Sequence, residues 1–366
     1  MACIPSSNRL PDAADDQHVI HLIKDEVVGI SLIASVGFIS ALSVTALLSY
    51  VAINYVKILR APGEGSRKLI RTNIDALILN LLVAELIMAL GAIMNIHWAS
   101  KGEVSCGQAC DAQGALQYIG ETSVALFTIA ITLLTFISVV RGWAIKARVW
   151  VWGSIMAAAW AYVALWAGIG GTWGGFYAPG APWCWISAEY AEYWTSAQSV
   201  WLWIAGFGSI LLYIPLFLLV RGNIKWDPVV GWASLKWRWK GEYGEDSNRL
   251  LWYPLGYITL VPVAILNWIS YGGVYTSRTV RFTIVAIFNL SGVVSVGLIL
   301  LARTNVLRLD YRSQKDARPQ HTNNPLLSED YLKEEAEDST GFGGVRVMNP
   351  RDSSAMKQTV DRQGAL

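Results

Sequence analysis

Ile74 to His97 reads IDALILNLLVAELIMALGAIMNIH, and the reading of this stretch decides the fold. It is a nearly unbroken apolar run of about 24 residues, enough at 1.5 Å rise per residue to cross a hydrocarbon core ~30 Å thick. Two residues break the apolar rule in its interior, Asn80 and Glu85. A carboxylate at the centre of a bilayer is costly unless it is paired, protonated or turned toward a hydrated cavity. Glu85 therefore faces other protein, and the helix that carries it belongs inside a bundle.

The rest of the chain supplies that bundle. Hydrophobic residues make up 54% of the sequence, charged residues 15%, and there are 18 tryptophans, a balance foreign to soluble domains of this length. Around the second segment, six more apolar segments run from about Val27 to Val56, Ala112 to Val140, Val149 to Gly171, Ala197 to Val220, Leu250 to Tyr271 and Val280 to Ala302. Pro215 in the fifth and Pro262 in the sixth read as kinks, because neighbouring helices can satisfy the carbonyls they free. The expected fold is an all-α membrane protein, a seven-transmembrane helix bundle. The polar first residues contain no basic stretch followed by an apolar core, so no cleavable signal peptide is expected.

Lysine and arginine set the direction. Lys57, Arg60, Arg67, Lys68 and Arg71 follow the first segment, and Arg141, Lys146 and Arg148 follow the third. Arg221, Lys225, Lys236, Arg238, Lys240 and Arg249 lie between the fifth and sixth, and Arg303, Arg308, Arg312, Lys315 and Arg318 follow the seventh. The opposite side holds only Arg9, Lys24, Lys101, Arg278 and Arg281. By the positive-inside rule the N-terminus is outside and the C-terminus cytoplasmic. The expected organisation is an extracellular segment 1–26, a transmembrane domain 27–303, a short amphipathic inner-leaflet helix 304–313 and a disordered cytoplasmic tail 314–366.

The outer loop Thr172 to Ser196, TWGGFYAPGAPWCWISAEYAEYWTS, has no basic residue and many aromatics, which suits a lid at the membrane surface. Its Cys184 can pair with Cys110 or Cys106 near the outer end of helix three, in an oxidising compartment. The residues leave both partners open. Cys110, nearer the helix, is preferred, with Cys106 free or joined to Cys3. The four histidines are scattered and no CxxC pair exists, so nothing points to a metal, a cofactor or a redox centre. A retinal protein would need a Schiff-base lysine in the seventh segment, and VRFTIVAIFNLSGVVSVGLILLA has none. Clustered ligands or a Ser/His pair for membrane hydrolysis are also missing, so an enzyme is not expected. A nucleic-acid partner is not expected either.

Several short motifs sit on matching helices. Asn80-Leu81-Leu82-Val83-Ala84-Glu85 resembles the helix-two motif of many G-protein-coupled receptors, with Glu85 in place of the usual aspartate. Trp183-Cys184-Trp185-Ile186 in the lid, Tyr253-Pro254-Leu255 with the later Pro262, and Asn289-Leu290-Ser291-Gly292 are similar to motifs of the cyclic-AMP-receptor-like receptors of slime moulds and fungi and of the related fungal glucose-sensing receptors. The resemblance covers about Val27 to Arg312. Helix three ends Val139-Val140-Arg141-Gly142-Trp143 without Asp-Arg-Tyr, and helix seven lacks Asn-Pro-x-x-Tyr, so the rhodopsin-like subclass is disfavoured.

The resemblance implies a plasma-membrane receptor that passes an extracellular nutrient or small-molecule signal to a heterotrimeric G protein and a cyclic-AMP pathway. A seven-helix transporter or channel for a small solute is the alternative. Asn80, Glu85, Pro215, Pro262, Asn289, Ser291 and Ser295 are candidates for the conformational switch. Tyr118, Glu121, Trp203, Asn267, Trp268, Tyr271, Arg278 and Arg281 are candidates for a ligand pocket in the outer half. Tryptophans at that depth also serve as interfacial anchors, and the two arginines also suit lipid headgroups. Arg141, Lys146, Arg148, Lys236, Arg238, Lys240 and Arg308 form a candidate cationic surface for the G protein or for anionic membrane lipids.

Overall fold

The computed structural model describes residues 19–60, 73–141, 149–180, 182–221, 223–225, 236–237, 253–274 and 276–302. In chain order the helices are α1 (Lys24–Arg60), α2 (Asn73–Ile93), α3 (Asn95–Lys101), α4 (Gln108–Arg141), α5 (Val149–Thr172), α6 (Ala191–Trp194), α7 (Val200–Val220), α8 (Tyr253–Tyr271), α9 (Arg278–Asn289) and α10 (Ser291–Ala302). Three two-residue to four-residue antiparallel strand pairs join them: β1 (Val19–His21) with β2 (Glu103–Ser105), β3 (Tyr177–Gly180) with β4 (Trp183–Ile186), and β5 (Ile224–Lys225) with β6 (Lys236–Trp237). Among the described residues six helical runs are long and apolar enough to cross a membrane: Lys24–Lys57, Asn73–Lys101, Gln108–Ser138, Val151–Thr172, Ala188–Leu219 and Arg278–Leu301. Thr259–Tyr271 adds a shorter apolar helix.

Several of these helix termini have a local cause. Asp25 and Glu26 open α1 and Lys57 and Arg60 close it, matching the sign of the helix dipole at both ends. Gly102, at φ 69°, ends α3 in the left-handed conformation that a side chain would resist. Ser277 caps α9 by accepting from the Val280 N–H at 3.4 Å. The seventh apolar segment is one helical run with a tightened turn at Leu290, where the Leu290 N–H donates to the Ala286 and Ile287 carbonyls and the Leu290 carbonyl accepts from the Val294 N–H.

Packing is centred on α4, which lies against α2, α5 and α7, while α1 lies against α2 and α9. Leu77, Ala84 and Met88 of α2, Val124 and Phe127 of α4, Leu202 of α7, Leu260 of α8 and Phe288 of α9 form the main apolar cluster. Water-driven burial does not hold helices together inside lipid, so close approach and dispersion must. The α2–α4 contact depends on Gly120, whose added Cβ would overlap the backbone of Met88. Outward, Val28, Leu165, Leu211 and Leu301 stand 61–72% exposed, apolar side chains that water would penalise and hydrocarbon would not.

Candidate functional site

The mouth of the bundle is built first by the lid. β3 and β4 form a hairpin in which Cys184 lies opposite Pro179. Cys184 is bonded to Cys110, two residues into α4, as the sequence favoured. Cys106 is disulfide-bonded as well, so its free form is ruled out; Cys3 lies outside the described residues. Gln113, one turn after Cys110, completes the anchor. Its Oε1 accepts from the Trp98 indole N–H at 2.7 Å and from the Cys184 backbone N–H at 3.0 Å. Its Nε2 donates to Asn95 Oδ1 at 3.0 Å, and Asn95 Nδ2 donates to the Ala92 carbonyl at 2.9 Å. Gln113, Asn95 and Trp98 are all buried, so this relay ties lid, α3 and α4 together away from competing water. The sequence reading missed Gln113 and Asn95; the one available signal was the three-residue spacing of Gln113 from Cys110.

Below the lid, Tyr118 and Glu121 fall on one face of α4. Glu121 Oε2 accepts from Gln198 Nε2 at 2.8 Å, and Gln198 Oε1 accepts from the Trp194 indole N–H at 3.0 Å. Gln198 is held there by a π-helical turn, Thr195–Ser199, wedged between α6 and α7. A π turn adds a residue to the helical repeat and so re-aims the side chains around it. It buries Ala197, Gln198 and Ser199 together. Tyr118, Phe176, Tyr177, Ile186 and Ala197 form an apolar cluster beside it, with Tyr162 and Trp194 packed on its edge. The Tyr162 hydroxyl donates to the Ser196 carbonyl at 2.7 Å, and its ring meets Trp201 edge to face at 5.4 Å. The Tyr118 hydroxyl and the Trp201 indole N–H are buried without a hydrogen-bond partner among the described residues.

The other candidate pocket residues gather elsewhere. Trp203 of α7 packs edge to face on Trp268 and Tyr271 of α8, with ring centroids 4.9 and 5.3 Å away. Trp268 and Tyr271 are 55% and 66% exposed on the bundle perimeter, the position of interfacial anchors rather than of pocket walls. Asn267 is half-buried in α8. Arg278 reaches Glu26 of α1 at 3.6 Å, and Arg281 is half-buried one turn further along α9. The eight candidates thus divide among three places, and Tyr118 and Glu121 are the two that stand together with Gln198.

The switch candidates divide as well. Ser295 of α10 donates to Glu85 Oε1 at 2.6 Å. Ser291 faces the same carboxyl without completing a hydrogen bond, and Glu85 Oε2, Ser291 Oγ, Ser40 Oγ and Asn289 Oδ1 are all buried without a partner among the described residues. Asn289 spends its amide on the Val285 carbonyl at 2.9 Å. Gly292 brings α10 against α1 so closely that a Cβ there would overlap Ser40 Oγ. Asn80 takes no part in this cluster. It accepts from the Trp160 indole N–H at 2.8 Å and donates to the Ala76 carbonyl at 2.8 Å, so it faces α5. Five residues of helix turn a side chain by about 140°, which is why Asn80 and Glu85 cannot share one polar core. Pro215 and Pro262 are half-buried inside α7 and α8.

On the basic side, Arg141 is the last residue of α4 and Lys236 the first of β6, while Lys146, Arg148, Arg238, Lys240 and Arg308 lie outside the described residues. The inner-leaflet helix 304–313 and the tail lie outside them too. Among the described residues no three His, Cys, Asp or Glu side chains come together in a way that would hold a metal ion. Compared with protein-family profiles and with curated proteins, the chain finds no match.

Proposed function

We propose that this chain is a seven-helix G-protein-coupled receptor of the plasma membrane, with its N-terminus outside, its C-terminus in the cytoplasm, and a small-molecule signal received beneath the lid. The observation that supports this reading best is the Glu85–Ser295 hydrogen bond, one turn beyond the tightened turn at Leu290. It couples α2 to α10 through a buried carboxyl whose second oxygen, like the Ser291 hydroxyl beside it, has no partner among the described residues. Such a cluster has alternative pairings within reach, which is what a two-state element requires. Glu85 and Ser291, one from each of two motifs that carry the family resemblance, sit at this place. The cationic surface headed by Arg141 is the face offered to the heterotrimeric G protein, and the resemblance extends the output to a cyclic-AMP pathway.

Nucleotide exchange on a co-expressed heterotrimeric G protein, set beside a solute-uptake assay, tests the reading. Exchange that depends on this chain, without uptake, is expected. Uptake without exchange would instead make it a transporter. Glu85→Gln is expected to shift basal exchange by at least about threefold at equal surface expression, a change of roughly 0.6 kcal/mol in the resting equilibrium.

A further inference from the structure

The helical run from Ala188 to Leu219 holds one residue too many. Trp194 (φ −56°, ψ −42°) and Val200 (φ −57°, ψ −41°) keep helical backbone on either side of the π turn, so Thr195–Ser199 interrupts a helix that continues through it. In an α-helix the Val200 N–H would bond the Ser196 carbonyl, four residues back. Here it bonds the Thr195 carbonyl, five back, and the Ser196 carbonyl loses that partner. The Tyr162 hydroxyl of α5 donates to this same carbonyl at 2.7 Å and lies 3.5 Å from the next one, that of Ala197. Within the turn, Gln198 Nε2 donates to Glu121 Oε2 of α4 at 2.8 Å, and Gln198 Oε1 accepts from the Trp194 indole at 3.0 Å. Bonds from α4 and α5 therefore hold the extra residue in place.

Two registers of this helix satisfy its backbone. The α register returns the Val200 N–H to the Ser196 carbonyl and needs no outside donor; the π register takes that donor away and needs Tyr162. Side chains alone decide between them. Giving up the extra residue turns the chain before it by about 100° relative to α7. α7 is the fixed side, packed against α4 and α8. The side that turns carries Tyr190 and Tyr193. Their rings meet Trp173 at 5.6 and 5.3 Å, and they reach Phe176 at 5.2 Å and Trp166 at 6.1 Å respectively. A 3₁₀ turn, Ala188–Tyr190, directly precedes α6 and can take up the residue that the π turn gives back. We propose that the π turn is a register switch with Tyr162 as its catch: when the hydroxyl lets go, the helix returns to the α register and Tyr190 and Tyr193 turn away from Trp173, Phe176 and Trp166. The switch ties the chain that enters α7 from the lid to α4 and α5, and it stands independently of any G protein.

The test uses the full-length chain in lipid nanodiscs. A trifluoromethyl label on Glu192→Cys, an exposed position of α6, reports the register by ¹⁹F NMR, with the chain lacking that substitution as the blank. Deletion of Ser196 removes the extra residue and marks the signal of the α register. Tyr162→Phe keeps the ring and removes the catch. Loss of one hydrogen bond is expected to raise the share of the α-register signal at least about fivefold over the labelled chain that keeps Tyr162. In the deleted chain Tyr162→Phe is expected to change neither the signal nor the thermal unfolding midpoint, because the Ser196 place in the ladder no longer needs a donor from α5. A single unshifted signal in Tyr162→Phe, a signal of unfolded chain there, or an equal loss of midpoint in both backgrounds would overturn the proposal. If the deletion does not fold, a second folded signal in Tyr162→Phe, in exchange with the first, decides for the switch, and its absence decides against it.

Discussion

At the mouth, Gln113 uses both ends of its amide and Cys184 uses both its sulfur and its backbone N–H. In the middle of α2, Glu85 uses one oxygen of two, and the Ser291 hydroxyl beside it has no partner among the described residues. Both regions are buried and both join separate helices, yet they treat hydrogen-bonding capacity in opposite ways. A saturated, covalently closed network has one arrangement, because any movement leaves buried groups bare. An unsaturated one has several arrangements of similar energy. On the proposed reading, the lid and α3–α4 anchor are the rigid part and the α1–α2–α10 contact is the part that rearranges.

The strongest way to break this comparison is at the mouth. Replacing Cys110 and Cys184 together with alanine opens a crosslink between residues 74 apart in sequence and is expected to cost about 3–5 kcal/mol. The readouts are the thermal unfolding midpoint in detergent and the surface expression. A loss under about 1 kcal/mol would mean that the lid is not what holds the mouth. Next comes Gln113→Leu, which strips partners from the Trp98 indole, the Cys184 N–H and Asn95 at once. A loss of about 2–4 kcal/mol is expected. Glu85→Gln should go the other way, to unchanged or up to about 1 kcal/mol more stable, because an amide brings donors to atoms that lack them and removes a costly carboxyl. If Glu85→Gln destabilised the protein as much as Gln113→Leu, the two regions would be equally saturated and the contrast would fall.

What the sequence made legible follows the same division between chemistry and geometry. The membrane-spanning helices were readable because lipid forbids polar side chains over long runs, and composition records that prohibition directly. Cys184 and the segment that holds Cys110 were readable because a cysteine in a loop and one beside a helix end have few alternatives. The partners of Asn80, Glu121 and Gln113 were not, since each depends on the rotation of a helix about its axis. Asn80 and Glu85 are close in the chain and face different neighbours. Gln198 reaches Glu121 through a π turn that no periodicity in Thr195 to Ser199 announces. Trp203, Trp268 and Tyr271 were grouped with Glu121 by depth alone, and depth leaves the direction around the bundle undetermined.

The smallest expected effect lies at the boundary between the two regimes. Tyr177 of β3 is buried in the lid, yet its hydroxyl has no partner among the described residues, so it is a loose atom inside the rigid region. Tyr177→Phe removes that hydroxyl without changing the ring that packs against Gly114, and at pH 7 should be neutral or stabilise by up to about 1 kcal/mol. Burial first, and the nearby Asp111 carboxylate second, push the Tyr177 phenol above its ordinary value. The folded chain therefore keeps this proton where the unfolded chain, with a phenol near pKa ~10, begins to lose it. The contribution of the protonated phenol is complete below about pH 10 and falls away as pH rises from there toward the folded value. Thermal midpoints of the two proteins measured from neutral pH to above pH ~10 should separate in favour of Tyr177→Phe as the unaltered protein loses that term. Parallel curves across the range would mean that Tyr177 meets solvent, and that the lid is less tightly closed than its disulfide and the Gln113 relay imply.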